Sequence, residues 1–173
     1  TAEATSVAFQ QFVDANATDE FAGVKLLCVH THGPGLIHSR DPVTKLEDLK
    51  GMTVRGGARI VSDMLVRLGA GPRDMPAPAI PEARSTSVIT GATLPWEVTP
   101  SLRLSELVHN HTGFSGSHGL YTQTFVFAMN KASYDKMPDD LKKIIDANSG
   151  IETAAMLGLS LIHISHPPRL LST

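Results

Sequence analysis

An α/β fold is predicted, because short apolar runs rich in β-branched and aromatic residues alternate with stretches whose apolar residues recur at helical spacing. Turn and cap signals punctuate that alternation: Lys50-Gly51, Gly69 and Pro81 each fall where an element should stop or start. The balance of residues suits a folded chain, since 42% hydrophobic with 18% charged is too apolar for disorder. At 173 residues a sizeable core can form in one domain, or at most two.

Taken in order, Glu3 to Ala15 predicts a helix with Val7, Phe9, Phe12 and Val13 near one face. Val24 to Val29 predicts a buried strand, closed by a loop at His32-Gly33-Pro34-Gly35. Leu46 to Lys50 is a helical turn and Met52 to Arg55 a strand, with Gly56-Gly57 after it. In Ala58 to Leu68, Ile60, Val61, Met64, Leu65 and Leu68 share a helical face, and Gly69 stands at the C-cap. Asp74-Met75 is a short strand, and Pro81 suits the first position of a helix over Glu82 to Thr86. Ala92 to Leu94 is a strand leading through Pro95-Trp96-Glu97 into a helix ending at Leu102, and Glu106 to His111 continues toward Phe114. Thr122 to Met129 is the most strand-like run in the chain. Lys131 to Lys136 is a turn of helix. A longer helix starts at Met137-Pro138-Asp139-Asp140, with Leu141, Ile144 and Ile145 on one face, and continues through Ile151 toward Leu157. This order of elements argues for a largely parallel sheet.

Charge and cysteine content narrow the function classes. Fifteen basic against seventeen acidic residues give −2, so no basic field points to nucleic acid or an anionic membrane. The single Cys28 cannot form an internal disulfide and reads as a small buried hydrophobe. No apolar run reaches the roughly eighteen residues of a membrane span, so the chain is not expected to span a bilayer. Thr1 to Gln11 lacks a basic start and an apolar h-region, and no Met opens the chain, which is expected to begin in mid-protein.

Five segments in order and spacing carry a family resemblance. They are Leu46-Glu47-Asp48-Leu49-Lys50-Gly51-Met52-Thr53-Val54-Arg55, then Gly69-Ala70 with Pro72, Met75-Pro76, Ala92 to Glu97, and Ala128-Met129-Asn130-Lys131 with Met137 to Lys143. Together they resemble the solute-binding proteins of tripartite ATP-independent periplasmic (TRAP) transporters, the DctP-like family, from about Gly23 to Gly158. The resemblance implies a periplasmic-binding-protein-like fold of two α/β lobes. The chain would be a fragment holding most of the second lobe and parts of the first. Residues 1–31 would end the first lobe and cross over, 32–121 form the second lobe, and 122–158 return to the first and start a long helix. It implies a non-enzymatic periplasmic protein that needs no cofactor, captures a small organic anion by hinge closure, and delivers it to TRAP permease subunits.

By this resemblance Arg55 is the carboxylate clamp, an arginine being able to hold a carboxylate with two parallel charge-assisted bonds. Leu94 and Trp96 stand at second-lobe contacts, Met75 and Ala77 near another wall, and Arg40 matches a second, less constant arginine. Glu82-Ala83-Arg84-Ser85-Thr86-Ser87-Val88-Ile89-Thr90-Gly91 departs from the family's "E-A-L-x-x-G-V-(I/V)-D-G" at Arg84, Ser87 and Thr90. A buried, unpartnered arginine would cost several kcal/mol, so either that helix turns differently or the read carries errors. From Leu159 the chain resembles a translated sequencing adapter, "L-S-L-I-H-I-S-E-P-T-R", and Pro167-Pro168 breaks any helix there. Leu159 to Thr173 is therefore expected to be a non-native tail.

Other chemistries have weaker signals. His30 with His32, and His109 with His111, have the i, i+2 spacing that puts two rings on one strand face, and His38 or His118 could add a third metal ligand. That pattern is the alternative of a metal-dependent hydrolase or lyase, beside a binding protein of the ATP-driven (ABC) importer type. Gly113-Phe114-Ser115-Gly116-Ser117 ends in Ser where a nucleophile elbow needs Gly. Gly69-Ala70-Gly71 follows a helix, where a dinucleotide fingerprint follows a strand. Glu47, Asp48, Asp139 and Asp140 read as helix-start and surface charges, and Glu97 as charge at a helix N-terminus.

Overall fold

The computed structural model describes residues 1–116 and 118–165. The chain divides into two compact units, Thr1–Gly33 with Gln123–Thr173, and Pro34–Thr122.

The first unit opens with α1 (Ala2–Asn16), capped by the Thr1 hydroxyl accepting from the Ala4 amide. Its buried face is Ala2, Ser6, Gln10 and Val13, whereas Phe12 is exposed. The apolar spacing points to the wrong face, because α1 docks on β1 (Val24–Ser39) through polar side chains. Gln10 Oε1 accepts from the Val29 amide at 2.8 Å, and Ser6 Oγ accepts from the Thr31 amide at 2.9 Å. These bonds satisfy β1 amides that would otherwise be buried unpaired. Cys28 and Val29 are fully buried on β1. The expected loop at Gly33-Pro34-Gly35 is absent; β1 runs through it without a break and belongs to both units.

The return is β6 (Thr122–Asn130), which pairs with β1. After it come α4 (Lys131–Asp135), α5 (Asp139–Ala147) and α6 (Ile151–Ser165). The single long helix expected beyond Ile145 is two, since Asn148–Gly150 breaks it with Gly150 at φ +80°. Helix α6 continues past Leu159 to Ser165, contrary to the expectation that the pattern fails there. Pro167-Pro168 lies outside the described residues. At Gly158, α6 passes so close to α1 that a Cβ would sit 2.6 Å from the Ala2 carbonyl oxygen.

In the second unit, β2 (Thr53–Gly56), α2 (Arg59–Arg67) and β3 (Gly71–Asp74) make a βαβ unit, and the two strands pair in parallel. Strand β3 begins three residues earlier than the sequence suggests. The chain then passes through α3 (Ile80–Ser85), with Pro81 in its first turn, to β4 (Gly91–Pro95), which pairs with the opposite side of β2. A 3-10 turn over Trp96–Val98 replaces the helix expected through Leu102. After a second turn the chain reaches β5 (Asn110–Thr112). Strands β4 and β5 both pair antiparallel with β1, so the order is β3-β2-β4-β1-β5 and the sheet is mixed, not largely parallel. Two apolar clusters hold the unit. One centres on Ile37, Val54, Val61 and Leu65, the other on Ile80, Ile89, Leu94 and Leu104.

Candidate functional site

The chain leaves β2 toward β3 on one side, while β4 lies on the other. The carboxyl ends of β2 and β4 therefore flank a topological switch point, where open α/β sheets bind ligands. Arg55 stands there. Its side chain is 7% exposed and held by two main-chain acceptors: Nε donates to the Met75 carbonyl at 3.0 Å, and Nη1 to the Thr93 carbonyl at 3.3 Å. Three of the five guanidinium N–H donors remain. Among the described residues Arg55 forms no ion pair. Burial lowers its pKa, and Tyr121 and Asp74 act against that fall.

The two glycines after Arg55 are a steric requirement. A Cβ on Gly56 would meet Ser62 Oγ at 2.2 Å, and one on Gly57 would meet Arg55 Nη1 at 2.9 Å. With both bare, Arg55, Gly56, Gly57, Asp74, Met75 and the start of α2 enclose an open concavity of about 320 Å³. The α2 N-terminus brings first-turn amides and the positive end of the helix dipole to the same space. Ser62 Oγ donates to Asp74, fixing that carboxylate against α2. A buried cation and a helix N-terminus over one concavity favour an anion.

Of the other predicted contacts, Met75 is half-buried, lines this concavity and gives its carbonyl to Arg55. Ala77 is half-buried against the second apolar cluster. Leu94 is buried within that cluster, so its side chain serves the core. Arg40 is exposed and follows the end of β1 that pairs with Gly91, at the amino end of β4. The register thus separates Arg40 from Trp96 by the length of that strand.

Trp96 follows β4 directly and is 39% exposed. It meets the His111 ring edge-on, with centroids 4.8 Å apart at 83°, and lies 6.0 Å from His38. His38 is fully buried, with Nε2 3.0 Å from the Leu94 carbonyl and Nδ1 2.7 Å from His111 Nδ1. The carbonyl can only accept, so Nε2 of His38 carries the proton. In the neutral ring Nδ1 is then bare and accepts from His111 Nδ1–H. Burial holds the His38 pKa down to about 4, with the Leu94 bond opposing and His111 adding to the fall. Burial, and then His109, also lower His111.

Four of the histidines proposed as metal ligands have other contacts. His38 and His111 form a hydrogen-bonded prop beneath Trp96, while His30 and His32 both pack on Phe125, at 5.3 and 4.4 Å. Among the described residues no group of three or more His, Cys, Asp or Glu is placed to hold a metal. Ser117 of the elbow-like stretch lies outside the described residues.

The departures at the α3 turn have a structural account. Arg84 is 5% exposed, its Nη1 donating to the Ile89 carbonyl at 2.9 Å while Nε has no partner among the described residues. Ser87 sits at φ +59°, a left-handed position suited to glycine. Thr90 bonds the Thr53 amide and carbonyl at the start of β2.

The model of the bacterial extracellular solute-binding proteins of family 7, DctP, matches residues 3–158. The chain belongs to this family. Residues from Leu159 onward lie beyond the match. A marine metagenome TRAP solute-binding protein, specific for aromatic acids and solved with 3-hydroxybenzoate, shares 44% identity at a TM-score of 0.91. The similarity covers 96% of this chain and 52% of that one. A TRAP solute-binding protein from Rhodoferax ferrireducens T118, solved with copurified benzoate, shares 47% identity at a TM-score of 0.88, over 96% of this chain and 51% of that one. A solute-binding protein of Albidiferax ferrireducens is 31% identical over 71% of this chain and 36% of its own length. This DctP chain thus spans about half the length of its solved relatives, or less. Its fold is the α/β architecture of the two-lobe binding proteins, and its family and neighbours are solute-binding proteins, not enzymes. No helix among the described residues is long and apolar enough to cross a membrane.

Proposed function

We propose that this DctP chain is part of the periplasmic substrate-capture component of a TRAP transporter, and that it takes the carboxylate of an aromatic acid on Arg55. The observation that carries the proposal is the Arg55 guanidinium itself, 7% exposed, oriented by two carbonyls and without an ion-pair partner among the described residues. A buried cation in that state is only partly compensated, by two carbonyls and the Asp74 charge, and an incoming carboxylate adds to this through the remaining N–H donors. Trp96, braced by His111, offers an aromatic surface at the same sheet edge for a planar ligand. Benzoate and 3-hydroxybenzoate in the two neighbours belong to that ligand class.

In this proposal residues 1–31 and 122–158 belong to the first lobe and 32–121 to the second. The anion docks first, hinge closure then excludes water, and the loaded form passes its cargo to the TRAP permease subunits. The test is calorimetry with benzoate on a full-length version carrying both lobes, with and without Arg55→Ala. Losing a buried charge partner should weaken binding by roughly 2–5 kcal/mol, and benzamide should bind no better to the parent than to the variant. Benzoate binding to Arg55→Ala at parental strength would sink the proposal.

A further inference from the structure

Asp74 lines the same concavity as Arg55, and its sequence context does not single it out. It ends β3 and pairs in register with Gly56, the residue after Arg55, so it stands at the carboxyl edge of the same pair of strands. A carboxylate on the wall of a site that favours an anion opposes that anion, unless it has a partner of its own on the ligand.

Its placement is built. Ser62, 7% exposed on α2, donates from Oγ to Asp74 Oδ1 at 2.5 Å. That hydroxyl fills the space where a Gly56 Cβ would stand, at 2.2 Å, so the bare Gly56 admits it. Gly56, Ser62 and Asp74 thus link β2, α2 and β3, and hold one oxygen of the carboxylate. The other oxygen takes no hydrogen bond from a described residue, and Asp74 is exposed to the concavity. Arg59, on the same wall, reaches Asp63 at 4.0 Å. Asp74 therefore forms no ion pair among the described residues.

With a carboxylate on Arg55, Asp74 faces the ligand across a space of only about 320 Å³. Once water is excluded, an unsubstituted ring sets C–H groups against the open oxygen, and an acceptor left unpaired there costs its full desolvation. An O–H or N–H on the ring completes it with a charge-assisted bond. Sites that pair a polar group of the ligand reject the analogue lacking it more sharply than apolar fit does.

We infer that Asp74 is a specificity-determining residue, its open oxygen accepting from a hydroxyl or amino group on the ring of the acid that Arg55 holds, with Ser62 as its positioning residue. This rests on the proposed role of Arg55 and adds the ring polarity that the site selects.

The test is calorimetry on a full-length version carrying both lobes, with benzoate, 3- and 4-hydroxybenzoate, and the matching amino- and fluorobenzoates. Fluorine is close to a hydroxyl in size and donates nothing. At least one hydroxy or amino acid is expected to bind roughly ten-fold more tightly than its fluoro counterpart. That preference should vanish in Asp74→Ala, which should also bind benzoate more tightly than the parent, a change that a merely structural role would not produce. Asp74→Asn keeps the shape and the acceptor for Ser62, and should shrink the preference, so the outcome does not hang on how the alanine variant folds. No preference in the parent, or one unchanged in both variants, would overturn the Asp74 assignment; loss of benzoate binding in Arg55→Ala would then leave Arg55 standing. Parental benzoate binding in Arg55→Ala would remove both.

Discussion

The buried His38 makes the stability of this chain depend on mildly acidic pH, and the size of the effect follows from its surroundings. An imidazole in the unfolded chain titrates near 6.5, whereas His38 in the fold is held to about 4. Between those values the unfolded state binds a proton that the folded state refuses. The stability associated with neutral His38 is therefore complete above pH 6.5 and is lost as pH falls toward 4. Linkage for that pair of values gives a loss of about 2 kcal/mol at pH 5 and about 3 kcal/mol at pH 4. His111 is lowered as well and acts in the same direction. The assay is urea unfolding from pH 7.5 to 4, comparing the chain with His38→Gln, which cannot titrate at that position. At neutral pH the variant is expected to be the less stable, through loss of the ring's packing and of its bond to Leu94. The difference should shrink by about 2 kcal/mol on going to pH 5. Parallel pH profiles across that range would refute the depressed pKa.

Other outcomes follow from close contacts and from the α3 turn. Gly57→Ala should place a methyl against Arg55 Nη1, displace the guanidinium, and weaken benzoate binding roughly ten-fold while thermal unfolding changes little. Arg84→Leu should be neutral or stabilising, by about 1–2 kcal/mol, because it removes a buried charge whose Nε lacks a partner; chemical denaturation measures it. Ser87→Gly should stabilise by about 0.5–1 kcal/mol, since Ser87 is exposed at φ +59° and its side chain leaves no cavity.

What the sequence reveals and what it hides differ by the range of the interaction. The α2 helix, the Gly69 cap, the strand bearing Arg55 and the turn after Pro81 are local patterns, and each element forms where its spacing puts it, although of the α2 stripe Val61, Met64, Leu65 and Leu68 pack on the core while Ile60 is exposed. The α1 face is misleading because Ser6 and Gln10 are buried to satisfy amides of β1, a demand set by a strand well removed in sequence. The stripe of α5 is apolar as its spacing indicates, yet Leu141 and Ile144 are exposed. An amphipathic pattern states that a face asks for a cover, not which residues provide it. The sheet is mixed where the element order suggests a parallel one because β1 is continuous: Gly33-Pro34-Gly35 looks like a loop until Tyr121 is seen to need that space.

The site divides along the same line. Arg55 with Gly56-Gly57 is contiguous, so a strand, a charge and two bare residues can be recognised together, and the structure gives each glycine a steric reason. Thr93 reaches the site only through strand register, and nothing in the residues beside it marks it out. Arg40, a ligand contact by the family resemblance alone, follows the strand end that the register sets at the amino end of β4. The histidines mislead for a related reason: spacing reports that two rings share a face, but a metal needs a third ligand converging from elsewhere. In this fold the nitrogen that meets His38 is His111 Nδ1, at hydrogen-bond distance, and a proton between the two nitrogens accounts for the contact.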